Sequence, residues 1–361
     1  MSDPAILPTG GNRPLRRPDE LVEAGLAPAD RLAALERVAA RYAIAITPAM
    51  ADLVDPTDPD DPIARQFVPD EAELDHRPEE LADPIGDHSH SPVKGIVHRY
   101  PDRVLLKPSH ACPVYCRFCF RREMVGPGGE ALTPAELAAA IGYIADHPEV
   151  WEVVITGGDP LMLSPRRLGE LVRALSAVPH VAVIRFHSRV PVVDPGRIDA
   201  ALVAALATDK AVWVAVHANH ARELGDEQAA ACRRLTQAGI PLIGQSVLLK
   251  GVNDDVATLS ALLRRMVALR IKPYYLHHGD LAPGTQQFRT SIDEGQALVR
   301  ALRGAVSGLC QPTYVLDIPG GHGKAPIGPD FLARDTAGHW LVTDFRGQSH
   351  RYPPPATEDK G

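Results

Sequence analysis

Arg103-Val104-Leu105-Leu106-Lys107-Pro108-Ser109-His110-Ala111-Cys112-Pro113-Val114-Tyr115-Cys116-Arg117-Phe118-Cys119 sets a short apolar run directly before three cysteines spaced Cys-x3-Cys-x2-Cys. The run reads as a strand and the cysteines as the loop that follows it. Three thiolates on one loop can ligate three irons of a cubane and leave the fourth iron open. A structural cubane would take a fourth cysteine. Zinc would also take a fourth ligand, and no cysteine or histidine follows within a few residues at finger spacing. Zinc or buried free thiols are the bland alternative, and the spacing together with the preceding strand weighs against it. Cys232 and Cys310 stand alone and read as small buried hydrophobes.

Outward from this stretch the chain is regular. Apolar runs recur at 103–106, 150–156, 180–186, 211–217, 240–249 and 271–276. Helical patterns lie between them at 134–145, 166–177, 198–207, 227–238 and 256–269. Thr133-Pro134 and Ser164-Pro165 are helix starts, a capping hydroxyl followed by proline at the first helical position. From residue 151 the strand starts recur about every 30 residues, the length of one βα unit. The class is α/β, and six such units predict a parallel sheet curled into a partial (β/α)6 barrel of the TIM type. In such folds chemistry sits at the C-terminal strand ends. Here those are 107–112, 157–160, 187–189, 217–220, Gln245 and 277–280, all polar for residues that follow core strands.

The flanks differ, which divides the chain into 1–98, 99–305 and 306–361. The first part is a helical and irregular extension. It holds a short amphipathic helix near 31–42, with Leu32, Leu35, Val38 and Ala39 on one face, and a proline–aspartate loop at 55–62. The last part holds a strand at 314–318, the run Pro319-Gly320-Gly321-His322-Gly323-Lys324, and a hairpin of 340–344 with 348–352. The net charge of −7 implies no affinity for nucleic acid. No apolar stretch is long enough for a membrane span. Met1-Ser2-Asp3-Pro4 lacks the features of a secretory leader, and clustered cysteines suit a reducing compartment, so the expected location is cytoplasmic.

The motif and its surroundings resemble the lysine 2,3-aminomutase family of radical S-adenosylmethionine enzymes. The resemblance runs from Tyr100-Pro101-Asp102-Arg103 through Cys119-Phe120-Arg121-Arg122. It continues in Thr156-Gly157-Gly158-Asp159-Pro160-Leu161, His187-Ser188-Arg189-Val190-Pro191-Val192-Val193, Gln245 to Asp254, and Tyr314 to Lys324. It implies that Cys112, Cys116 and Cys119 hold a [4Fe–4S] cluster whose open iron binds S-adenosyl-L-methionine. Gly157, Gly158 and Asp159 would offer acceptors to the methionine ammonium, and Gln245 would lie near that cofactor. Lys324 would carry pyridoxal 5'-phosphate through its amine, with Arg103 and Arg99 at the phosphate. Glycines before the lysine would let it move aside. Arg121 matches the arginine that takes the substrate carboxylate, for which a planar fork is suited. Asp280 and Asp317 match the acids that hold a distal ammonium, which implies L-lysine as substrate. The histidines at the strand ends read as hydrogen-bonding partners, not metal ligands.

The implied reaction is an isomerisation, L-lysine to β-lysine, driven by a one-electron donor such as flavodoxin or ferredoxin. Other readings are the same chemistry serving elongation factor P, another amino-acid 2,3-aminomutase, a radical enzyme without pyridoxal phosphate, and an inactive binding homologue. Longer family members carry C-terminal cysteines that bind zinc between subunits. Here the last cysteine is Cys310, so that zinc site is expected to be absent and a homo-oligomer is left open.

Overall fold

The computed structural model describes residues 13–126 and 131–354; the first four residues lie outside them. Nine strands form one sheet in chain order: β1 (Ile96–Tyr100), β2 (Arg103–Ser109), β3 (Glu152–Gly157), β4 (Val183–Ser188), β5 (Ala211–His217), β6 (Leu242–Val247), β7 (Ile271–His277), β8 (Thr313–Ile318) and β9 (Gly323–Pro326). β2 to β8 are parallel, each paired with the next. β1 and β9 run antiparallel on the two edges. Helices Pro134–Ala145, Pro165–Ser176, Ala200–Ala205, Asp226–Gln237, Val256–Ala268 and Ile292–Leu302 connect the parallel strands. This is the expected partial barrel of six βα units, with an eighth strand continuing it.

The period of two along each strand sorts the residues. Val104 and Leu106 of β2, Ile184 and Phe186 of β4, and Val212, Val214 and Val216 of β5 join the apolar core shared with the helices. Lys107, Arg185, His187 and His217, of opposite parity, point into the barrel. Arg185 of β4 reaches across it to the Tyr274 ring of β7, 5.7 Å away. The helices start where side chains satisfy free backbone donors, as when Thr133 and Glu136 form a reciprocal capping box.

The barrel does not close by strand pairing between β1 and β9. Tyr100 of β1 bridges the seam: the backbone N–H of Lys324 on β9 donates to its hydroxyl at 2.7 Å. Above it, Gly86 lies directly on the Gly320–Gly321 backbone, where any Cβ would collide. The segment before β1 therefore packs against the glycine run of the C-terminal segment.

The helix expected near 31–42 is Leu32–Ala39. It buries Ala34, Leu35 and Val38 and leaves Leu32 and Ala39 half-buried. The proline–aspartate loop ends in a helix, Pro62–Phe67, capped by the buried Asp61. The C-terminal hairpin is present as β11 (Trp340–Thr343) and β12 (Ser349–Tyr352), joined by β10 (Leu332–Arg334) into a separate three-stranded sheet. Among the described residues no helix is long and apolar enough to cross a membrane.

Candidate active site

Cys112, Cys116 and Cys119 lie half-buried on the loop after β2, as unpaired thiols. The extension pins this loop. Tyr115 N donates to Ala45 O at 3.0 Å and Arg117 N to Gln66 O at 2.9 Å. Arg117 and Arg122 flank Cys119 on its two sides and both bind Glu73, which is 0% exposed. Burial pushes the Cys119 thiol up to about 11 and Cys112 well above its ordinary range, and the neighbouring sulfurs add to both shifts. Thiolates crowded into so dry a place need cationic partners. Arg189 supplies one, with Nη1 2.7 Å from the Cys116 sulfur. Among the described residues no three ligand side chains converge on one point as they would around a single ion. A cubane does not ask for that, because each thiolate takes a different iron.

The next loop explains its glycines. A Cβ on Gly157, whose φ is +110°, would lie 2.7 Å from Ser109 O, and one on Gly158 would collide with the Ala111 carbonyl. The cysteine loop rests on these two residues, with Gly158 N donating to Ser109 O and Asp159 N to Ala111 O. The Asp159 carboxylate follows the two glycines. It is buried and accepts from Ser188 Oγ at 2.7 Å, Arg189 N at 2.6 Å, and the N–H groups of Val190 and Leu161 at 3.1 Å. It ties the β3 and β4 loops together. Burial raises its carboxyl against these four hydrogen bonds.

Gln245 lies on β6, with Nε2 3.4 Å from His187 Nδ1. Burial holds His187 and His217 well below the ordinary histidine range, and the charge of a nearby arginine lowers each further. Both are neutral hydrogen-bonding groups; His187 Nε2 is buried without a partner.

Two charged poles meet in the barrel. At the basic pole Asp87 is ringed by three cations: Arg99 Nη2 at 3.2 Å from Oδ1, and Arg121 Nη2 at 3.0 Å and Lys107 Nζ at 3.4 Å from Oδ2. At the acidic pole Lys324 Nζ lies 2.5 and 2.8 Å from the Asp317 oxygens, its neighbour across the β8–β9 pair. His277 Nδ1 is 3.6 Å from the same carboxylate. Burial works against the charge of Asp317, but His277 and Lys324 hold it well below the usual range. Asp280 is pushed up to about 7, first by burial and then by Asp317, while Lys324 and Arg121 pull the other way.

Two expected substrate contacts thus have internal partners here: Arg121 holds Asp87 and Asp317 holds Lys324. Arg103 stands apart from Arg99. It pairs with Asp102 at 2.8 Å and stacks 3.9 Å over Tyr100, the ring that bridges the seam. Asp87, Lys107, Glu73 and Arg189 carry no individual role in the sequence reading. Asp87 follows a Pro84–Gly86 turn in an irregular stretch, and nothing local reveals the three cations around it.

A model of the Radical SAM superfamily matches residues 106–262, and a Lysine-2,3-aminomutase model matches 299–361. The L-lysine 2,3-aminomutase of Clostridium subterminale is 40% identical over 88% of this chain and 76% of its own. That of Acetoanaerobium sticklandii is 41% identical over 86% and 75%. The glutamate 2,3-aminomutase of Clostridioides difficile is 34% identical over 87% and 74%. The chain belongs to the lysine 2,3-aminomutase family, isomerases of the radical type that work with S-adenosylmethionine and a [4Fe–4S] cluster.

Proposed function

We propose that this chain converts L-lysine to β-lysine and depends on pyridoxal 5'-phosphate. One observation carries the reading: an acidic pole, Asp280 and Asp317, and a basic pole, Arg121, lie close enough for Arg121 to act on the Asp280 charge. A diamino acid is complementary to that arrangement. Its carboxylate would go to Arg121 and its distal ammonium to Asp280 and Asp317, as charge-assisted hydrogen bonds. Glutamate would set a second carboxylate against two others.

Lys324 fits a carbonyl cofactor, since it is a half-buried amine inside the barrel with a carboxylate able to hold its proton. Arg99 fits the phosphate, since its buried Nε has no partner, and Arg103 would add charge from the start of β2. Cys112, Cys116 and Cys119 would hold the cluster. The backbone of Gly157 and Gly158, with Gln245 opposite, would border S-adenosylmethionine. Bound together, cluster and S-adenosylmethionine supply a radical that takes hydrogen from carbon, and pyridoxal phosphate supplies a carbonyl that holds the migrating nitrogen. The reductant would be a one-electron donor of the flavodoxin or ferredoxin kind.

Anaerobically reconstituted protein with dithionite, S-adenosylmethionine and pyridoxal phosphate should form β-lysine from L-lysine far faster than it rearranges L-glutamate or L-alanine. Preference for glutamate would end the lysine reading.

A further inference from the structure

We infer that Lys107 is a second carboxylate-binding cation of this site, held beside Arg121 by Asp87. The inference rests on the reading of Arg121 as a carboxylate contact and adds residues that reading does not use.

Lys107 is 6% exposed, on the barrel-facing side of a strand whose other face is core. A lysine is rarely buried without a strong partner, because its ammonium loses its hydration. Lys107 Nζ lies 3.4 Å from Asp87 Oδ2, longer than a good hydrogen bond, and Arg121 holds the same oxygen at 3.0 Å. Oδ1 is taken by Arg99. Three cations share the one Asp87 carboxylate, in a place where each of the four side chains is about nine-tenths buried, and the next acids, Asp83 toward Lys107 and Asp280 toward Arg121, make no ion pair with them. Burial lowers the Lys107 ammonium and Arg121 lowers it further, against the pull of Asp87 and Asp83.

A second observation points the same way. Nε of Arg99 and Nε of Arg121 are both buried with no hydrogen-bond partner. Buried donors in native proteins are nearly always paired, so these two N–H groups, beside a shared anion, leave donors that a further anion can take. Asp87 divides the cluster. Oδ1 holds Arg99 toward the phosphate role, and Oδ2 holds Lys107 and Arg121 as a pair. A substrate carboxylate at that pair would meet a guanidinium and an ammonium already in place, and would relieve their mutual repulsion.

The test compares amino acids with the amines that lack their α-carboxylate. Protein reconstituted anaerobically with iron, sulfide and pyridoxal phosphate is titrated calorimetrically with L-lysine and 1,5-diaminopentane, and with L-glutamate and 4-aminobutanoate. The wild type should prefer the acid to its amine. Lys107→Met, which conserves volume, should reduce that preference about tenfold, the worth of one charge-assisted hydrogen bond. Lys107→Arg should largely keep it. If Lys107→Met does not fold, Lys107→Gln is decided on the same ratio. An unchanged ratio, or equal losses for acid and amine, overturns the proposal. If the wild type binds glutamate in place of lysine, the substrate reading fails, and Lys107 is then decided on glutamate against 4-aminobutanoate.

Discussion

Asp280 is charged only when the pH allows it, and that has consequences for both binding and stability. In the folded protein it titrates at about 7, because burial and Asp317 oppose its charge; in the unfolded chain it titrates at about 4. Between those values the folded state keeps a proton that the unfolded state has lost. Stability therefore falls as pH rises through this window and stays lower above it. Asp280→Asn removes the effect, so its melting temperature should draw level with wild type near pH 4 and exceed it at pH 8. The gain at pH 8 is on the order of 4 kcal/mol, and differential scanning calorimetry reads it. Binding goes the other way. An ammonium needs the ionised carboxylate, so KM for L-lysine should fall about tenfold from pH 6 to pH 8 as the ionised fraction rises. In Asp280→Asn that profile should be flat and KM high throughout. A second residue-scale prediction concerns Lys324, whose amine sits on Asp317. Borohydride should trap pyridoxal phosphate on Lys324, and Lys324→Ala should abolish the adduct while iron–sulfur absorbance persists. An adduct mapped to Lys107 or Lys250 would overturn the assignment.

Loops set how these residues meet, and they show what sequence can carry. Strands and helices between 134 and 277 were legible to within a few residues because each obeys a local rule: alternation along a strand, a capping hydroxyl before proline, about 30 residues per βα unit. β1 and β9 were not read, since both are short edge strands whose partners lie beyond local pattern. Gly157 and Gly158 were legible as a motif, but their need is visible only in three dimensions. Both underlie the cysteine loop. Gly158→Ala should therefore push that loop at Ala111 and cost about 1–3 kcal/mol, the usual penalty of overpacking. The expected result is a folded protein whose reconstituted iron content drops by more than half. Full iron loading at wild-type stability would show that the loop does not rest there. Asp159 makes the complementary point. Its place in the motif points to a ligand contact, and its four protein donors show that it also ties two loops together. Motif position selects the residue, and only three dimensions show what holds it in place.

At the scale of the molecule, the N-terminal extension builds one wall of the site. Its composition, rich in proline and aspartate, looks like a connector. Yet Glu73 and Gln66 hold the cysteine loop, Asp87 gathers the cations of the basic pole, and Gly86 lies on the glycine run before Lys324. None of these contacts has a local signature, because each joins residues at least 12 positions apart. Glu73 is the sharpest case. It is fully buried, with Arg117 at 2.9 Å through Nε and Arg122 on the same carboxylate, and Arg122 Nη1 reaches Gly284 O at 2.7 Å. A buried ion pair adds modest net stability while intact, but removal of one partner leaves charge without compensation and costs about 3–5 kcal/mol. Glu73→Ala leaves two buried guanidinium groups facing each other beside the cysteines. It should lower the urea midpoint strongly and, where the protein still folds, loosen the loop between Cys116 and Arg122. Glu73→Gln keeps the shape and removes only the charge, so it separates electrostatics from packing. Both variants should lose iron in proportion to their lost stability, and hydrogen exchange at residues 115–122 should rise before exchange in β4 and β5. If Glu73→Ala matches wild type in urea and holds its iron, the extension does not brace the cysteine loop, and the wall it forms is only a cover.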